Sequence, residues 1–122
     1  MADVKVRLSP LEFVVEGKEV EQRPGYLVTF ELSAPISPSE VAEVAEAIAA
    51  AVAGRAGHGD VIVVSGRGPI YLHSAIAQLL RSYVCGAIIA HYDPKLQAAV
   101  VVHPASMVGA LVKNDRMNES IQ

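Results

Sequence analysis

Four consecutive apolar residues, Val61-Ile62-Val63-Val64, run without alternation into Ser65-Gly66-Arg67-Gly68-Pro69. An unbroken apolar run of this length fits a strand covered on both faces, which places it in the middle of a sheet rather than at an edge. The rest of the chain must therefore supply the covering layers. Its 122 residues suit one domain, and with 52% hydrophobic residues, two Phe and no Trp the core is built from Val, Ala, Ile and Leu. Such a mix favours strands packed against Ala-rich helices.

Val4, Val6 and Leu8 alternate with Asp3, Lys5 and Arg7, the period-two pattern of a strand with one wet face. Ser9-Pro10 punctuates it, Phe13 to Val15 reads as a short strand, and the polar stretch from Glu16 to Gly25 reads as a loop or hairpin extension. Tyr26 to Leu32 resumes a strand. Ser37, Pro38 and Glu40 have the spacing of an N-cap, a first-turn proline and a capping-box acid. Val41, Val44, Ala45, Ile48 and Val52 then recur at helical spacing, and Gly54 and Gly57 are natural stops. A second helix follows Pro69, with Leu72, Ile76, Leu79, Leu80 and Tyr83 as its apolar stripe. Gly86 to Tyr92 and Ala98 to Val102 read as two strands joined by a turn at residues 93–97. The expected order, strand, strand, helix, strand, helix, strand, strand, gives an α+β domain over residues 1–112, a ferredoxin-like sheet with both helices on one face. Residues 113–122 read as a flexible polar tail.

The net charge of −3 opposes a basic surface that holds long double-stranded nucleic acid, but leaves room for a small anion held by local groups. The lone Cys85 excludes an internal disulfide, the N-terminus lacks a signal pattern, and no apolar stretch is long enough to span a bilayer. A cytoplasmic location is the expectation. No cysteine or histidine spacing suggests zinc, and no serine elbow is present.

Two segments could carry chemistry. The loop Ser65-Gly66-Arg67-Gly68-Pro69 joins the buried strand to a helix, and its glycines permit conformations that turn several N–H groups toward one point. The helix start adds its dipole, and Arg67 can fork onto a phosphate. A plain tight turn with a solvent-facing arginine fits the same residues. Asp93-Pro94-Lys95 is an ordinary turn by composition. His91, two residues before Asp93, projects from the same strand face, so the two could share a proton or bind a divalent metal. His73 stands nearest to the Arg67 loop in sequence, whereas His58 and His103 are uninformative.

The strings from Val61 to His73 and from His91 to Leu96, followed by Ala98-Ala99-Val100-Val101-Val102, resemble the Csx-three family of type III CRISPR ring nucleases. The resemblance runs from about Tyr26 to His103. It implies a ferredoxin-like fold, a homodimer, and dimers stacked around cyclic tetra-adenylate, which is linearised with help from Mn²⁺. It places Ser65, Gly66, Arg67, Gly68 and His73 in ligand binding, and Asp93 at an acidic catalytic or metal position. Lys95 stands where the family motif has arginine, keeping charge but losing the fork. The segment 80–85 lacks the histidine the family carries there, so His91 is the candidate replacement base. Three readings follow: a ring nuclease, a non-cleaving sponge or sensor, and a structural assembly module.

Overall fold

The computed structural model describes residues 3–121; Met1, Ala2 and Gln122, at the ends of the N-terminal segment and the expected tail, lie outside it. Its elements run β1 (Val4–Glu16), β2 (Val20–Leu32), a 3₁₀ turn (Pro38–Glu40), α1 (Val41–Ala53), β3 (Val61–Gly66), α2 (Ile70–Tyr83), β4 (Ile88–Asp93), β5 (Ala98–His103), a second 3₁₀ turn (Ala105–Met107), β6 (Leu111–Lys113) and α3 (Asp115–Ile121). The apolar run is β3, and it is central. It pairs in parallel with β2 on one side and with β4 on the other.

Its lack of alternation has a direct cause, because both faces are covered. Ile62 and Val64 join Val28, Phe30 and Ile89 beneath the helices, packed on Ile48, Val52, Leu72 and Ile76. Val61 and Val63 face the other way, toward Phe13, Leu27, Ile88, Ala90, Val101 and Val112. Burying each such side chain contributes about 1.5–3 kcal/mol. The helices cross from β2 to β3 and from β3 to β4, as parallel pairing requires. At the start of α1 the Ser37 N–H donates to Glu40 Oε1 at 2.9 Å, the carboxylate half of the expected capping box. The Tyr83 hydroxyl hydrogen-bonds Glu46 and ties the helices together.

The ferredoxin-like open sheet is overturned. The six strands pair in chain order, and β6 pairs antiparallel with both β5 and β1, closing a barrel. All six strands contribute side chains to the second cluster, which fills the barrel interior. Two readings hid this closure. Residues 16–25 hold only a short reversal, because β1 and β2 form one long hairpin in register from Val4↔Leu32 to Glu16↔Val20. The prolines that suggested breaks sit inside it, with Pro10 opposite Tyr26 and Pro24 opposite Glu12. These pairs are two residues apart and so share one phase of the ladder. Proline has no N–H to give to the ladder, so this is the phase in which backbone groups point away from the partner strand, and the Glu12 carbonyl accepts from Asn114. Gly25 is needed for strand approach: a Cβ there would lie 1.9 Å from the Val61 carbonyl oxygen.

The second hidden element is the C-terminus. Leu111–Lys113 is too short to signal a strand, and the segment expected as a tail carries α3. Asn114 Oδ1 accepts the N–H groups of Arg116 and Met117 at its start. Met117 is 0% exposed and belongs to the interior cluster. Among the described residues, no helix is long and apolar enough to cross a membrane.

Candidate functional site

The parallel strands β2, β3 and β4 all end toward the same side, where ligands of parallel sheets usually gather. Phe30, Gly66 and Asp93 lie at those ends. The Ser65–Pro69 loop crosses there into α2. Its glycines are set by close approach rather than by unusual backbone angles, since neither Gly66 nor Gly68 has positive φ. A Cβ at Gly66 would lie 2.6 Å from the Phe30 ring, and one at Gly68 would lie 3.0 Å from Leu72 and 3.4 Å from Phe30. Phe30, which sequence reasoning did not select, is the floor of the loop. An aromatic at the end of a strand, followed by a Gly-x-Gly loop from the neighbouring strand, is the signal that could have found it.

Arg67 is exposed and forms no salt bridge among the described residues. The first turn of α2 holds no acidic residue, whereas α1 carries Glu43 in its own. The Pro69 carbonyl accepts the N–H groups of Leu72 and His73, leaving those of Ile70 and Tyr71 as the free donors of the helix start. A positive side chain and a helix N-terminus without a carboxylate thus stand together.

The two histidines singled out from sequence are brought into contact. Their ring centroids lie 5.4 Å apart in an edge-to-face arrangement, and the His73 ring stands 5.4 Å from that of Phe30. His73 Nε2 is 3.1 Å from the Gly66 carbonyl oxygen. A carbonyl only accepts, so Nε2 carries the hydrogen and, in the neutral ring, Nδ1 is left as an acceptor. His91 shares a face with Ile89 and pairs with Val64 across the sheet. Burial, and secondarily the neighbouring His73, hold its pKa below the usual value of 6.5, so it is neutral at neutral pH.

Asp93 and Lys95 occupy the turn after β4. Asp93 Oδ1 accepts the Lys95 N–H at 2.9 Å, and the Asp93 carbonyl accepts the Leu96 N–H at 3.2 Å. One carboxylate oxygen is therefore engaged in holding the turn. Among the described residues no hydrogen bond or ion pair joins Asp93 to His91. Among the described residues no three His, Cys, Asp or Glu side chains converge as a metal cluster, and His73 Nε2 is already engaged. The remaining histidine with a defined contact is remote in role: His58 Nδ1 bonds the Cys85 carbonyl at 3.1 Å, over Gly86, whose φ of +76° favours glycine.

Beside the loop lies a hollow of about 520 Å³, walled by the segment after β2, including Leu32 and Ile36, and by Arg67, Gly68 and Tyr71. A larger hollow of about 590 Å³, by Glu12, Tyr26 and Asp60, lies on other elements and contains none of the candidate residues.

Fold and site together define a small α/β barrel domain with a Gly-x-Gly loop, an exposed arginine and a histidine pair at the carboxyl ends of its parallel strands. Residues 29–113 match the family model described as CRISPR-associated protein (Cas_csx3), and the chain belongs to that family. Its role is accordingly CRISPR-associated.

Proposed function

We propose that this protein binds cyclic tetra-adenylate and linearises it, lowering the second messenger of type III CRISPR signalling. The observation that carries the reading is the contact of His73 with His91, made where His73 also bonds the Gly66 carbonyl of the loop whose exposed Arg67 forms no salt bridge among the described residues. Phosphates of the ring rest on Arg67 and on amides of residues 65–68, with His73 holding the loop through Gly66. His91, neutral because it is half-buried, takes the proton of a ribose 2′-hydroxyl. The 2′ oxygen then attacks the adjacent phosphorus as the P–O5′ bond breaks, giving a 2′,3′-cyclic phosphate and, after protonation of the departing oxygen, a 5′-hydroxyl. Lys95 offers charge to the developing phosphorane, and Asp93 orients Lys95 through the turn they share. No step here runs through manganese. A ring with repeated phosphates is matched by repeated copies of one small site, so the working unit is a homodimer, stacked with another around the ligand.

A non-cleaving sponge or sensor is the second reading, favoured by the engagement of Asp93 Oδ1 in the turn. Incubating the protein with cyclic tetra-adenylate, with and without Mn²⁺, and resolving bound, intact and linear species separates the two; light scattering on the same samples gives the assembly. Linear product supports the enzyme, intact bound ring the sponge, and no binding the assembly module.

A further inference from the structure

The hollow between the segment after β2 and the start of α2 is left unused by the phosphate chemistry above. Its chemistry is not that of a phosphate site alone. Leu32 and Ile36 supply apolar wall, Arg67 stands at its rim, and Tyr71 lines it with 47% of its surface exposed. Tyr71 lies off the core-facing stripe of α2, whose Leu72, Ile76 and Leu80 are fully buried. The Tyr71 hydroxyl has no hydrogen-bond partner among the described residues, so no polar tether holds the ring where it stands. Residues 34–36, on the opposite wall, form no backbone hydrogen bond among the described residues. They offer both donors and acceptors, the combination that the edge of an adenine, with its ring nitrogens and amino group, can satisfy.

We propose that this hollow is a base subsite: one adenine stacks on Tyr71, its edge meets the backbone of residues 34–36, and its phosphate reaches Arg67. The inference rests on the ring-binding reading and adds to it the source of base selectivity. A volume of about 520 Å³ accommodates a nucleoside, so a ring of several nucleotides would place one base here and extend beyond it. Stacking of a base on an aromatic side chain contributes roughly 5- to 150-fold in affinity.

The test is a titration of cyclic tetra-adenylate and cyclic tetra-uridylate against the unaltered protein, Tyr71→Ala, Tyr71→Phe and Arg67→Ala, with circular dichroism to verify folding. The expected result is that the unaltered protein and Tyr71→Phe prefer the adenylate ring, that Tyr71→Ala loses roughly 5- to 150-fold for that ring and most of the preference, and that Arg67→Ala weakens both rings together. A folded Tyr71→Ala that keeps affinity and preference overturns the base subsite while leaving the ring-binding reading in place. Binding of neither ring by the unaltered protein overturns both.

Discussion

The imidazoles of His73, in the first turn of α2, and His91, on β4, meet edge to face with centroids 5.4 Å apart. The sequence separates them widely, and the parallel pairing of β3 with β4 unites them. His73 is fixed from the loop side by Gly66, and His91 is set in the sheet against Val64. Burial, with the neighbouring His73 ring, favours the neutral form of His91.

His91→Ala is expected to slow ring cleavage by about 10²- to 10⁴-fold while changing ring affinity far less, the signature of a lost acid or base. Single-turnover assays alongside equilibrium titration measure both quantities. Cleavage at the unaltered rate, with Asp93→Asn inactive, would transfer the proton chemistry to Asp93.

The depressed pKa of His91 sets a pH dependence of stability. The unfolded chain takes up a proton near pH 6.5 while the folded chain still resists it. Stability is therefore full above pH 6.5 and falls as the pH drops from there through the lower folded-state value. Thermal melts between pH 7.5 and 5 should show the native protein losing ground to His91→Gln over that window. Parallel curves for the two proteins would mean that His91 titrates normally.

Gly66→Ala is expected to destabilise the fold by about 1–3 kcal/mol, because the added methyl overlaps the buried Phe30 ring. Combining it with Phe30→Leu should recover part of the loss, so that the double variant is more stable than the sum of the single changes allows. Denaturant melts of the four proteins settle it; strict additivity would show that the loop relaxes elsewhere.

Met117→Ala is expected to cost about 2–5 kcal/mol, the scale for truncating a fully buried methionine. A similar loss should follow truncation after Lys113. An unchanged melting temperature for Met117→Ala would mean that α3 does not close the barrel interior.

These sites differ in how plainly the sequence announced them. β3 was legible because four apolar residues in a row admit few other structures, and α1 because Ser37 and Glu40 bracket its start at capping distance. The closure was not. Pro10 and Pro24-Gly25 carry turn chemistry, yet a proline is tolerated where the ladder does not need its N–H, and the glycine answers to the nearby Val61 backbone. Neither condition can be seen without the neighbouring strand. β6, only Leu111–Lys113, is shorter than any pattern that periodicity can detect. At the site, Arg67 and its loop were visible as a motif, but Phe30 and Tyr71 gain meaning only from what folds against them. The strand period sets His91 and Asp93 two residues apart on β4, whereas the ring contact of His91 with His73 joins elements that the sequence does not place side by side.

The latch of the barrel has a consequence for how the chain reaches this structure. β6 pairs with Val14–Glu16, and Asn114 beside it bonds Glu12 across a separation of 102 residues. The other neighbouring strands are joined by short reversals or single helical crossovers, so they can form early from nearby sequence. Joining the two ends of the sheet requires nearly the whole chain to be in place, and its loop-closure entropy is offset only when the interior is filled. On a ribosome, the first five strands must wait with unpaired edges on β1 and β5 until residues 111–113 emerge. That interval is when this protein is most exposed to pairing with the wrong strand.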